Sequence, residues 1–143
     1  MATAEQFISL KGGTVASLGP GATVLEAALL MNERGIGSVI VIDKDRLAGI
    51  FTERDVLRRV VAEQRDPATT KLADVMTSPV ACAAPHTTLD EIRQVMRERR
   101  IRHVPLVNAK RVLGMISIGD LNKAERDVQV ETIRYLEQYI SVS

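Results

Sequence analysis

Slid against itself by 65 positions, the sequence aligns residues 15–58 with residues 80–123 without a gap, and 13 of the 44 pairs are identical. The identities include Val15/Val80, Ala16/Ala81, Thr23/Thr88, Met31/Met96, Gly49/Gly114 and Asp55/Asp120. Two copies of one unit therefore account for most of the chain. A unit of about 50 residues buries too little surface to be stable alone. Two such units gain most by packing face to face about an approximate two-fold axis, as homodimers do between chains.

Each copy carries the same punctuation. Thr23 to Glu26 and Thr88 to Glu91 have the spacing of a capping box, in which the Thr hydroxyl takes a helix amide and the Glu reaches back. The helices that follow should bury Leu25, Ala28 and Leu29 in the first copy and Leu89, Ile92 and Met96 in the second, and end near Gly35 and Arg100. Short β-rich runs separated by polar turns at 43–46 and 108–111 predict a hairpin in each copy. A second helix should open at Thr52 and Ser117, with Val56, Leu57, Val60 and Val61 forming the apolar stripe of the first. With an extended piece around Val15 and Val80, the expected fold is α+β: two β-α-β-β-α repeats about a pseudo-two-fold axis.

The expected divisions are an amino-terminal segment at 1–14, repeat one at 15–64, a linker at 65–78, repeat two at 79–126 and a carboxyl-terminal helix at 127–143. That last helix would align Val130, Ile133, Leu136, Tyr139 and Ile140 on one face, against its own module or an oligomer partner.

Composition removes several functions. Nineteen basic residues balance 18 acidic ones, and aromatics are 3% with no Trp, which argues against a nucleic-acid binder with stacking platforms. No run approaches the roughly 20 apolar residues of a membrane span, no secretory signal is evident at the amino terminus, and a cytoplasmic location is expected. The single cysteine, Cys82, has no disulfide partner and no second thiol for a metal. Cys82, His86 and Asp90 lack a separate acid–base partner, so no enzyme activity is expected.

The residues with chemical potential lie just after each hairpin: Thr52-Glu-Arg-Asp55 and Ser117-Ile-Gly-Asp120. One reading makes each a capping box. The other has each helix start face a cleft, where the carboxylate accepts both hydroxyls of a ribose and the hydroxyl residue and helix amides favour a phosphate. The copies differ in charge: residues 15–64 hold six basic and seven acidic groups, residues 80–126 nine and five. Arg54, Arg102 and, if protonated, His103 are therefore candidates for the anionic end of a ligand. Arg97 and Arg100 are expected on a solvated helix face.

The pattern Leu47-Ala-Gly49-Ile-Phe-Thr52-Glu-Arg-Asp55, repeated as Val112-Leu-Gly114-Met-Ile-Ser117-Ile-Gly-Asp120 and preceded by Arg100-Ile-Arg102-His103-Val-Pro105, resembles a tandem cystathionine β-synthase (CBS) domain pair, or Bateman module. The flanks are similar to those of small stand-alone bacterial CBS-pair proteins. The resemblance implies a regulatory signal-transduction module that senses AMP, ATP, NAD or S-adenosylmethionine in clefts between the repeats. By the same resemblance Asp55 and Asp120 hold ribose hydroxyls, with Thr52 and Ser117 near sugar or phosphate. Gly37, Ser38, Arg102 and His103 line the clefts, and Ala16 and Val80 lie against adenine. A homodimer and an unknown effector protein are implied as partners, with no catalytic cofactor and no metal. The alternative is a non-catalytic interaction scaffold whose acids serve only as caps.

Overall fold

The computed structural model describes residues 2–12 and 14–126. The expected carboxyl-terminal helix lies outside them. Element order is α1 (Ala4–Lys11), β1 (Ser17–Leu18), α2 (Val24–Arg34), β2 (Ser38–Asp43), β3 (Arg46–Thr52), α3 (Glu53–Asp55) running on as π-helical turns (Val56–Val61), α4 (Leu72–Val75), α5 (Leu89–Arg99), β4 (His103–Asn108), β5 (Arg111–Ser117) and a helix, α6, over 118–126.

The duplication is visible in the backbone. Strands β2 and β3 pair antiparallel with a register shift between Val41 and Ile42, and β4 and β5 repeat it between Leu106 and Val107. The hairpin turns place Lys44 and Asp45, then Ala109 and Lys110, at positive φ, the geometry whose twist suits two-residue connections. Helices α2 and α5 end on residues in the left-handed region, Gly35 at φ 62° and Arg100 at φ 56°. The parallel pairing of β1 with β2 shrinks in the second copy to one bridge, Ala83 to Leu106. The extended segments thus centre two to three residues beyond Val15 and Val80.

Several local expectations are corrected. The Thr23 and Thr88 hydroxyls do cap α2 and α5, but no back-bond from Glu26 or Glu91 is formed. The buried face of α2 is Val24, Ala27 and Met31, and Leu25 and Leu29 are exposed. After β3, Val60 is buried and Val56 packs beside the core, but Leu57 and Val61 face outward. The π-helical turn has more residues per turn than the assumed 3.6-residue period. In α5 the expected Ile92 and Met96 are buried, with Leu89 packed against them.

The sequence reading missed α1, although Thr3 and Gln6 form a complete capping box at its start. This helix packs on repeat two: Ala4 is fully buried in that repeat's cluster with Ile92, Leu106, Ile116 and Leu121, and Phe7 and Ile8 pack against it. Helix α4 does the same for repeat one, where Leu72 and Val75 join Met31, Val39, Phe51 and Val60. The docking bonds match. Leu72 and Ala73 N–H donate to the carbonyls of Ala22 and Pro20, as Ala4 and Glu5 donate to Thr87 and Pro85. The chain therefore begins on repeat two, crosses to build repeat one, and returns, which ties the halves together.

Candidate functional site

Hairpin register explains why the singled-out residues meet. Ser38 pairs with Thr52 across β2 and β3, and His103 pairs with Ser117 across β4 and β5, so the start of one strand adjoins the helix entry after the next. The amide of Glu53 donates to the Gly37 carbonyl at 3.1 Å and that of Ile118 to the Arg102 carbonyl at 2.8 Å, fixing each entry in the same way.

Two clefts result. The first, about 290 Å³, is lined by Gly37, Thr52, Arg54, Asp55, Val80, Arg102 and His103 among others. The second, about 340 Å³, is lined by Ala16, Gly37, Ser38, His103, Ser117 and Asp120 among others. Gly37 and His103 form the wall between them, where a Cβ on Gly37 would stand 3.4 Å from the His103 ring and from the Glu53 side chain. Residues that sequence reasoning passed over, Thr77 in the first cleft and Lys11 in the second, complete the linings.

Both acids form full capping boxes. Asp55 Oδ2 accepts the Thr52 amide at 3.0 Å and lies 3.3 Å from its hydroxyl, while the Asp55 amide donates back to Thr52 Oγ1. Its Oδ1 accepts the Thr77 hydroxyl at 3.1 Å and lies 3.6 Å from Arg59 Nε. Asp120 Oδ2 accepts the Ser117 amide at 3.2 Å and the Lys11 ammonium at 2.7 Å. The acids thus cap their helices and also line clefts. Burial pushes the Asp120 carboxyl up, but the bonds from Lys11 and Ser117 outweigh it and hold it below its ordinary range.

His103 is set the other way. Burial lowers its pKa, Lys11 and Arg102 add to the effect, and the carboxylates of Glu53 and Asp120 only partly oppose it. The imidazole is therefore neutral near pH 7, and the charge-assisted bond expected of a protonated His103 is not available there. Positive charge in the first cleft comes from Arg54, Arg99 and Arg102. Arg54 is held by donating to the Arg100 carbonyl. Arg97 and Arg100 are exposed. Burial pushes the Cys82 thiol up, opposite to the direction that activates a nucleophile. Among the described residues no helix is long and apolar enough to cross a membrane.

The CBS domain profile matches twice, at residues 14–62 and 72–127. The chain belongs to the CBS-domain family. A mitochondrial CBS domain-containing protein of Arabidopsis thaliana is 35% identical over 123 residues, 82% of this chain and 60% of that protein, so the chain spans under two thirds of that relative. A CBS-domain protein of Agrobacterium tumefaciens of known structure superposes with a TM-score of 0.81 at 33% identity, covering 87% of this chain and 99% of that one. A CBS domain protein of Pyrobaculum aerophilum, solved in complex with AMP, superposes with a TM-score of 0.74 at 25% identity over 84% of this chain and 90% of that one. The paired repeats are a CBS regulatory module.

Proposed function

We propose that this CBS pair senses an adenine nucleotide, AMP, ATP or NAD, in the clefts between its repeats, and performs no chemistry of its own. One observation carries the reading: Asp55 and Asp120, identical in the duplication, each stand at a helix entry beside a hydroxyl residue and line equivalent clefts. An ionised carboxylate accepts about four hydrogen bonds, so a capping acid retains capacity for a ribose diol. Thr52 and Ser117 then lie near sugar or phosphate, and Ala16 and Val80 offer backbone and apolar surface to adenine. Ser38 and Gly37 leave room, and Arg54 and Arg102 supply planar donors for phosphate oxygens. The AMP complex of the Pyrobaculum relative supports the ligand class. The module works in a cytoplasmic homodimer, and an effector protein reads the ligand-bound form.

A second reading, a scaffold without nucleotide sensing, is favoured by the exposed Leu25, Leu29, Leu57 and Val61 and by acids already satisfied within the chain. Thermal unfolding with AMP, ATP, NAD and S-adenosylmethionine separates the two. A ligand at about 100 times its Kd stabilises by roughly 2.7 kcal/mol, which raises Tm by roughly 5–11 °C. Shifts below about one degree with every ligand at millimolar concentration leave only the scaffold.

A further inference from the structure

We propose that an arginine-lined cavity beside the first cleft is a site for an oligophosphate chain, either the tail of a nucleoside triphosphate or a free one. Selection among nucleotides rests on the reading of the first cleft as a nucleotide site; affinity for oligophosphate itself does not.

The cavity, of about 450 Å³, adjoins the first cleft and shares Arg54, Ile101 and Arg102 with it. Arg93, Arg97 and Arg100 complete its charged lining, and among the described residues no acid lines it. Shifted by the 65 positions of the repeat, Arg54, Arg93, Arg97, Arg100 and Arg102 correspond to Gly119, Ala28, Asn32, Gly35 and Gly37. The apolar lining residues Met96 and Ile101 correspond to Met31 and Ile36. The apolar part is thus common to both repeats, and the five charges are not.

Bonds within the chain leave most of that charge unpaired. Arg93 is paired with Glu125 at 3.2 Å and also donates to Asn122 and to the Leu121 carbonyl. Arg54 donates to the Arg100 carbonyl. Among the described residues Arg97, Arg100 and Arg102 form no ion pair. The carbonyl end of α5 supplies about half a negative charge, less than three guanidinium groups carry. Arg100 stands at φ 56°, where repeat one has Gly35 at 62°, so a cation occupies a helix end that glycine closes without strain.

Converging guanidinium groups repel one another, and phosphate oxygens relieve this by accepting their planar forks. With a first phosphate at Arg54 and Arg102, on the border of cleft and cavity, AMP ends there and the further phosphates of ATP reach Arg97 and Arg100. A nucleic-acid backbone carries the same charge, but 19 basic against 18 acidic residues and 3% aromatics favour a small anion.

Calorimetric titration of the full chain with AMP, ATP and tripolyphosphate, in magnesium-free buffer of fixed ionic strength, tests this. Arg97→Asn/Arg100→Gly installs the residues that repeat one carries at these exposed positions and keeps the Arg100 carbonyl that holds Arg54. The expected result is ATP bound at least about tenfold more tightly than AMP by the wild type. The double variant should bind both equally, with AMP affinity as in the wild type. Tripolyphosphate bound by the wild type and lost in the variant extends the site to free oligophosphate; ATP preference without tripolyphosphate binding assigns it to the nucleotide tail. If neither chain binds a nucleotide while tripolyphosphate distinguishes them, the nucleotide reading fails and the oligophosphate site stands. An ATP preference that survives the double substitution overturns the proposal. So does a wild type that shows neither ATP preference nor tripolyphosphate binding, whether or not it binds a single-stranded oligonucleotide.

Discussion

Asp55 and Asp120 sit on the same backbone in the same capping geometry, yet their surroundings differ. The Asp55 side chain is 10% exposed, under the Thr77 hydroxyl and beside Arg59, whereas that of Asp120 is 30% exposed and tied to a lysine that is itself 34% exposed. Duplication has kept what the backbone needs: the bulge, the left-handed helix ends, and the amide that fastens each helix entry to the preceding strand. What changed is the segment laid over each hairpin, a short α4 with Met76 and Thr77 in one repeat and the longer α1 in the other. The segments that cover the two hairpins thus come from outside the repeated units.

Alanine at the two acids gives the largest contrast. Asp55→Ala removes a buried cap and strands the Thr77 hydroxyl, for about 2–3 kcal/mol, while Asp120→Ala loses a more exposed cap worth about 1 kcal/mol. Urea unfolding should show both, in that order, and equal costs would mean that burial does not separate the sites.

A methyl group probes the two coverings next. On Gly49 a Cβ would stand 2.6 Å from Met76 Sδ and 3.0 Å from the Thr77 carbonyl oxygen, which is backbone bonded to Ile50. On Gly114 it meets only Ile8 side-chain atoms, Cδ1 at 2.6 Å. Gly49→Ala should cost about 1–3 kcal/mol, and Gly114→Ala less, because the Ile8 side chain can move. Hydrogen exchange should then rise in α1 alone for Gly114→Ala. A larger loss from Gly114→Ala would show that α1 is the more rigid cover.

The smallest effect concerns the shared wall. The lowered pKa of His103 means that the unfolded chain binds the proton more readily than the folded one. The stability His103 contributes is complete above its ordinary value of 6.5 and is lost as pH falls through the lower folded value. Urea midpoints between pH 5 and 8 should decline toward acid in the wild type and less in His103→Gln. An unchanged slope would place that proton elsewhere.

How far the sequence foretold this follows from what repeats. Hairpins, turns, Met96 in the core, and the pairing of the two acids by position were legible because the repeat carries each signal twice. Helix faces were read a residue out at Leu25 and Leu29 because alanines made the stripe ambiguous, and at Leu57 and Val61 because a π-helical turn breaks the assumed period. Helix α1 and the roles of Lys11 and Thr77 stayed hidden because they belong to flanking segments of unequal length. Only the Thr3–Gln6 box signalled α1, and nothing local revealed that it crosses to repeat two.

The central claim is that Asp55 receives a ribose diol, and the direct measurement is the affinity of AMP against 2′-deoxy-AMP for the wild type and Asp55→Asn. Loss of one hydroxyl bond to a carboxylate should weaken the wild type by about ten- to a hundredfold, and the preference should vanish in Asp55→Asn. Equal binding of the two nucleotides by the wild type would contradict the account.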